Sequence, residues 1–401
     1  MIFNDSLFKM NSLFLFGLIL IIGILGGRLA QATRFFPRVS GYLFIGFLFG
    51  PHILGVITNS ALTDSKVFIE IAVGLVLFQL GQQLKIRQLN TEKKLIITGI
   101  VESVTSFLII FSGLLMVRVE IFTATLIAII GVSSSPALTL LLASKHNVGM
   151  LMRRSLTFAA INNIMAFCFF MAFLPFLQVS ANQMHFNTAL LDPAYRVLGS
   201  LFLGGAMGLL MIRMGSMIGK GKDTQFILLV GSLILTIGMA KMLHVSLLIS
   251  PLILGLTVEN RDKNDFLASI ELGPSGEIFF IVLFVLTGAK LHIDNMLAVG
   301  GVALIFLLTR AIGKCLPVYL LSREDGLNKT QSYALGVTLL PMAGMAIGLL
   351  NTASEVSSNF TALASSIVLA SIAIIEIISP ILTISVLRKT GEIPHASHCS
   401  H

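Results

Sequence analysis

Charge is what this sequence has least of. Only 11% of its 401 residues are Asp, Glu, Lys or Arg, against about 25% in soluble globular domains, and 55% are hydrophobic. A soluble chain of this length would need a much larger polar surface. Cysteine is scarce too, and three are too few for a disulfide framework. Cys168 and Cys315 fall inside apolar runs, where a thiol packs as a small apolar group; Cys399 lies near the C-terminus. Missing as well is the ten-residue alternation of a transmembrane barrel. Instead, solidly apolar runs recur from Leu13 to Leu387, of about the 17 to 25 residues a helix needs to cross hydrocarbon. The fold class predicted is all-α, a polytopic transmembrane helical bundle.

About thirteen spans are expected, near 13–30, 39–57, 67–83, 94–117, 121–143, 156–177, 197–213, 225–243, 246–259, 277–290, 298–320, 332–350 and 362–387. With the N-terminus outside, every inside loop carries at least two basic residues and every outside segment at most one. The first inside loop holds Arg28, Arg34 and Arg38, and the last segment holds Arg388 and Lys389. A wrong span count would break that alternation, so the C-terminus is expected in the cytoplasm. The net charge of +8 then reports orientation in a membrane, not a nucleic-acid partner. Ala30-Gln31-Ala32 has the small-x-small form of a signal-peptide cleavage site, but Arg28 directly after the apolar run favours a retained first span.

A repeat runs through the chain. Gly50 and Gly255 are 205 residues apart, as are Pro136 and Pro341, and Pro175 and Pro380. Glu70, Gly81 and Leu84 recur as Glu277, Gly288 and Leu291 at a shift of 207. Spans 2–6 therefore correspond to spans 9–13. An offset of seven spans turns the second five-helix copy upside down, the inverted repeat typical of secondary transporters with central sites on broken helices. Matching proline interruptions mark those helices as spans 5 and 12, through Ser133, Ser134, Ser135 and Pro136 in one and Thr338, Pro341 and Gly344 in the other. Proline frees a carbonyl one turn back, and hydroxyls can supply partners that lipid cannot. Two crossing broken helices at a solvated site is the functional reading; a pair of ordinary proline kinks is the bland one.

Ionisable residues deep in spans are functional candidates. Arg310 lies about 18 Å into span 11 at 1.5 Å per residue, near midplane, with Lys314 one turn on. Glu102 in span 4 and Glu376 in span 13 are candidate partners, as are freed carbonyls. A static ion pair stapling helices is the structural alternative. Asn162 and Asn163, adjacent in span 6, either glue helices together or present carbonyl oxygens to a cation.

Several stretches resemble one family. Ser-Gly-Tyr-Leu-Phe-Ile-Gly-Phe-Leu-Phe-Gly-Pro-His-Ile-Leu-Gly over 40–55 resembles the second-span signature of the cation:proton antiporter superfamily, nearest its second branch with the potassium-efflux (Kef) and sodium/proton (Nap) types. The run from Glu70 to Phe78 with Gly81 is similar to the next span. Phe279-Phe280 with Gly288, Leu291 and Asp294, Arg310-Ala-Ile-Gly-Lys314, and Glu376-Ile-Ile-Ser-Pro380 fit as well. The likeness covers about residues 12 to 388.

The resemblance implies a dimerisation half (1–93 and 225–297), a core or transport half (94–177 and 298–388), a linker helix (197–213) and a cytoplasmic tail (389–401). It further implies a homodimer in a lipid bilayer, expected to be a bacterial inner membrane, whose core moves like an elevator to expose one site alternately. A monovalent cation and a proton would compete there, beside the basic residue Arg310 or Lys314. No enzyme activity and no cofactor are expected, and the nucleotide-sensing domain that many Kef-type proteins append is expected to be missing. One departure stands out. Where the family usually has a pair ending in Asp, this chain has Asn162-Asn163, and an amide does not titrate near neutrality. The expected function is monovalent cation:proton antiport with the proton on a displaced carboxylate, Glu102 or Glu376. The alternatives are transport of another solute without proton coupling, or a transport-inactive regulatory protein. His395, His398, Cys399 and His401 have metal-ligand types, but a short polar terminus is better read as disordered, and no metal site is expected.

Overall fold

The computed structural model describes residues 12–32, 38–82, 86, 93–136, 139, 149–180, 186–218, 221–262, 273–290, 293–324, 326–342, 344–356 and 358–393. Lys9, Arg34, Lys85, Arg87, Lys145, Lys220 and Lys263 among the loop charges fall outside these, as do Leu84 and Leu291 of the repeat, residues 137–138 and 140–143 of span 5, and the tail's His395, His398, Cys399 and His401.

Long apolar runs with few breakers form helices here, and every regular element among the described residues is one. In chain order they are α1 (Ser12–Ala32), α2 (Arg38–Phe49), α3 (Asn59–Asp64), α4 (Lys66–Gln82), α5 (Lys93–Met116), α6 (Ile121–Val132), α7 (Met150–Ser180) and α8 (Phe186–Ile218). They continue as α9 (Lys222–Met242), α10 (Ile249–Arg261), α11 (Gly273–Ala289), α12 (Ile293–Glu324), α13 (Lys329–Thr338), α14 (Gly344–Val356) and α15 (Ser358–Lys389). Six stretches among them are long and apolar enough to cross a membrane: Lys93–Met116, Met150–Leu177, Ala194–Ile218, Thr224–Met242, Val299–Arg323 and Thr361–Lys389. Shorter apolar ones are Phe14–Ala30, Ile121–Val132 and Glu277–Ala289.

Helix α2 is shorter than span 2 of the sequence reading. Pro51 has no N–H to continue the ladder and disfavours helix at Gly50. The chain turns instead, with the Gly55 N–H donating to the Gly50 carbonyl at 2.9 Å and Gly55 at φ +66°, a conformation suited to glycine. The short α3 follows, where the sequence suggested none.

The chain divides into two compact units, Met1–Ala72 with Glu271–Leu297, and Val73–Ile270 with Ala298–His401. In the first, α2 packs on α1 and α11 by backbone approach. A Cβ on Gly46 would lie 2.0 Å from the Val285 carbonyl oxygen, and one on Gly288 2.0 Å from that of Leu43. Small residues let helices approach where lipid offers no hydrophobic drive. Glu277 on α11 accepts from Arg38 Nη1 at 2.7 Å and Tyr42 Oη at 2.6 Å on α2. The Glu277 side chain remains 34% exposed while making this inter-helix bond. Gly46→Ala is expected to push α2 from α11 at a cost of about 1–3 kcal/mol, seen as a lower thermal midpoint in detergent; an unchanged midpoint would contradict this packing.

In the second unit, α5, α6 and α7 pack mutually, α15 lies against α6, α13 and α14, and α8 packs on α9 and α10. Close backbone approach recurs between α4 and α10, where a Cβ on Gly81 would meet the Leu252 carbonyl oxygen at 2.1 Å and one on Gly255 that of Phe78 at 2.0 Å. After α15, Glu392 Oε1 accepts the Leu151 N–H at 3.0 Å, so the chain's last described turn holds the start of α7. A carboxylate there complements the positive helix N-terminus.

Candidate functional site

The site forms where two helices stop inside the second unit. Helix α6 ends at Val132, Ser133 is extended (φ −62°, ψ 149°), and the chain stays non-helical to Pro136. Pro136 cannot donate to the Val132 carbonyl one turn back. Helix α13 ends at Thr338, Leu340 N–H turns back to the Val337 carbonyl at 3.1 Å, and α14 starts only at Gly344 beyond Pro341. The two unwound stretches bind each other, Ser135 N–H to the Pro341 carbonyl at 2.8 Å and Ser134 Oγ to the Leu339 carbonyl at 3.0 Å.

Two helix C-termini therefore meet, each presenting unpaired carbonyls and the negative end of its dipole. Arg310, 1% exposed near the middle of α12, sits between them. Its Nε donates to the Gly131 carbonyl at 2.9 Å, and Nη2 to Ser133 at 2.8 Å and to Leu339 at 3.4 Å; Nη1 donates to the Leu340 carbonyl. The freed carbonyls, rather than a carboxylate, supply the hydrogen bonds of the guanidinium. One turn on, Lys314 donates to the Val132 carbonyl that Pro136 left open, and pairs with Glu102 Oε1 at 3.0 Å. Both side chains of that pair are 0% exposed. Ser106 Oγ also donates to Glu102 Oε1, at 2.8 Å, while Oε2 has no hydrogen-bond partner among the described residues.

Asn163 faces the same break. Its Nδ2 donates to the Ser134 carbonyl at 2.9 Å and its Oδ1 accepts the Ser134 N–H at 3.1 Å, so the side chain acts as a substitute peptide group for an unwound residue. Asn162 Nδ2 donates to Ser134 Oγ at 3.2 Å and its Oδ1 accepts from Ser103 Oγ at 3.0 Å. Both amides are committed to holding Ser134 in place. Ser133 Oγ and Thr338 Oγ1 turn back onto their own helices, to the Ile130 and Leu335 carbonyls, each at 2.7 Å. Glu376, on α15, meets the other side of the crossing through a backbone hydrogen bond from Met342, just before the N-terminus of α14. Arg310 acts on it electrostatically.

Thus Ser133, Ser134, Ser135, Pro136, Asn162, Asn163, Arg310, Lys314, Thr338, Pro341, Glu102 and Glu376 converge on one buried region, with Gly344 opening the helix beside it. Ser103 and Ser106 were not singled out from the sequence. The sequence signal for Ser106 is its place one turn beyond Glu102 on the same helical face; Ser103, next to Glu102 in sequence, points to Asn162 instead. Among the buried charges, two cations (Arg310, Lys314) face two carboxylates (Glu102, Glu376). No group of three or more His, Cys, Asp or Glu arranged to hold a metal occurs among the described residues.

An aspartate at 163 would lose the Nδ2 donor and set an anionic oxygen against the Ser134 carbonyl. Asn163→Asp is expected to cost about 1–3 kcal/mol. The deficit should shrink in acid, where a protonated carboxyl can donate again. Thermal midpoints of both proteins at acidic and alkaline pH check this, and a pH-independent gap would contradict it.

Helices interrupted in the membrane and crossing beside buried charges are the architecture of secondary transporters. The family model described as "Sodium/hydrogen exchanger, transmembrane" matches residues 16–393. The chain belongs to this family of transporters, which are not enzymes. Among the solved structures that share its fold are two of the sodium proton antiporter MjNhaP1 from Methanocaldococcus jannaschii. The structure at pH 8 is 15% identical with a TM-score of 0.65, covering 95% of this chain and 96% of that one. The electron-microscopy structure is 15% identical with a TM-score of 0.70, covering 96% and 97%. No curated protein matches the sequence.

Proposed function

We propose that this protein exchanges a monovalent cation for protons across the membrane, with Glu376 as the proton carrier. Family membership and the fold shared with a sodium proton antiporter support the reaction class. One observation carries the assignment of the carrier: Asn163 is spent on the backbone of Ser134 and Asn162 on the hydroxyls of Ser134 and Ser103, so the position where the family usually keeps an aspartate serves here as scaffold. Glu102 is already tied to Lys314. Glu376 remains as the buried carboxylate at the crossing. When it is ionised the four buried charges at the crossing balance, and when it is protonated the set carries one excess positive charge that disfavours a second cation. Proton and cation would therefore exclude one another by charge.

The finer architecture belongs to the same reading. It comprises thirteen spans with the N-terminus outside and the C-terminus cytoplasmic, two inverted repeats, a homodimer and a core that exposes the crossing alternately to each side of a bacterial inner membrane. The repeats are supported by packing: the correspondence that pairs Gly50 with Gly255 and Gly81 with Gly288 also maps the close α2–α11 contact onto the α4–α10 contact. Placement in the branch with the Kef and Nap types rests on the span motifs.

The test is purified protein in proteoliposomes with an imposed pH gradient and a fluorescent pH probe, with Na⁺, K⁺ and Li⁺ added in turn. Cation-dependent collapse above that of empty liposomes is expected. Silence from the natural sequence together with activity in Asn163→Asp would overturn the assignment and favour a transport-inactive protein; silence in both would favour another solute.

A further inference from the structure

We infer that a file of water enters the core along α15 from the membrane face on which Arg388 and Lys389 end, and supplies protons to Glu376. Helix α15 is apolar on most of its surface, but Glu376, Ser379 and Thr383 recur at i, i+3 and i+7, along one side and toward that end. Ser379 and Thr383 are both 0% exposed, and neither hydroxyl has a hydrogen-bond partner among the described residues.

That is unusual within this helix type. A buried Ser or Thr ordinarily donates to the carbonyl one turn back, as Ser371 Oγ does to Ile367 at 2.7 Å on the same helix. Ser379 and Thr383 leave that bond unmade. Two hydroxyls one turn apart in a water-poor interior carry a large desolvation penalty unless something fills their hydrogen bonds. Water fits best: it both donates to and accepts from the hydroxyls, and buried waters characteristically make about three such bonds. A cation would leave the hydroxyl protons unused. Linked waters beside a carboxylate are a route for a proton, which no anhydrous hydroxyl pair could offer over this distance.

The file matters to function only if Glu376 is the carrier proposed above, so its test reads access and not transport. In a chain with Cys168→Ala, Cys315→Ala and Cys399→Ala, single Ser379→Cys and Thr383→Cys variants are placed in sealed vesicles. Ag⁺, small enough for a water-filled path and unable to cross lipid, is added at the face where α15 ends. There it replaces the thiol proton, which passes to water. Thiols left unmodified are then labelled with a maleimide after denaturation. Loss of labelling at both positions is expected, with full labelling retained at Ile372→Cys, which is buried on the far side of Glu376. Full labelling at residues 379 and 383 would overturn the file even in a protein that exchanges cations. Protection in a protein that exchanges nothing would keep the file and count against the carrier. Should either variant fail to fold, millisecond hydroxyl-radical labelling of the natural chain serves. Modification at buried Pro380 well above that at Ile372 supports the file, and equal modification contradicts it.

Discussion

Glu376→Gln is expected to reduce cation-driven proton movement to the level of empty liposomes while leaving the protein folded. Glutamine keeps an acceptor for the Met342 N–H and nearly the same volume, so the crossing keeps its shape. What disappears is the proton that the side chain gains and loses, and with it the charge that alternately repels and admits a cation. Arg310 retains its four carbonyls, so its own position does not depend on that carboxylate. Glu376→Asp, which restores a titrating group on a shorter stem, is expected to recover part of the activity with altered pH dependence. A purely structural glutamate would show the opposite pattern, with Gln tolerated and Asp destabilising through the lost methylene.

The second large effect falls on stability. Glu102 and Lys314 form a pair with both side chains wholly buried. Removing either partner alone strands a charge in the interior, at about 3–5 kcal/mol. Glu102→Leu and Lys314→Met are each expected to lower the thermal midpoint sharply or prevent purification of folded protein. The double variant should recover most of that loss, because replacing a whole buried pair by apolar groups is often neutral. Recovered stability with retained exchange would define the pair as a staple between α5 and α12. Loss of exchange in a stable double variant would instead move the proton-carrying role to Glu102.

Much of this arrangement is legible in the sequence. Proline placement identified both interrupted stretches, because removing an N–H acts locally and needs no tertiary context. The depth of Arg310 and its separation from Lys314 followed from helical rise and periodicity. The sequence also left the acceptors of Arg310 open between carboxylates and carbonyls. That choice was illegible, since it depends on how the ends of α6 and α13 cross, which no local pattern encodes. The roles of Asn162 and Asn163 were open for the same reason. An amide is equally able to donate and accept, and only the approach of Ser134 makes Asn163 a surrogate peptide. The turn after α2 is readable in principle from Gly50-Pro51, but the apolar residues that resume at Ile53 and run to Ile57 mask it. Hydropathy reports immersion, not helicity.

Proton release on cation binding tests the assignment of the carrier most directly. Purified protein in weakly buffered detergent solution receives Na⁺, K⁺ or Li⁺ while a pH dye is followed. With Glu376 as the carrier, at least one of these cations should acidify the solution in proportion to the natural protein, and none should do so with Glu376→Gln. Equal acidification by Glu376→Gln would contradict the assignment, placing the exchanged proton on another group.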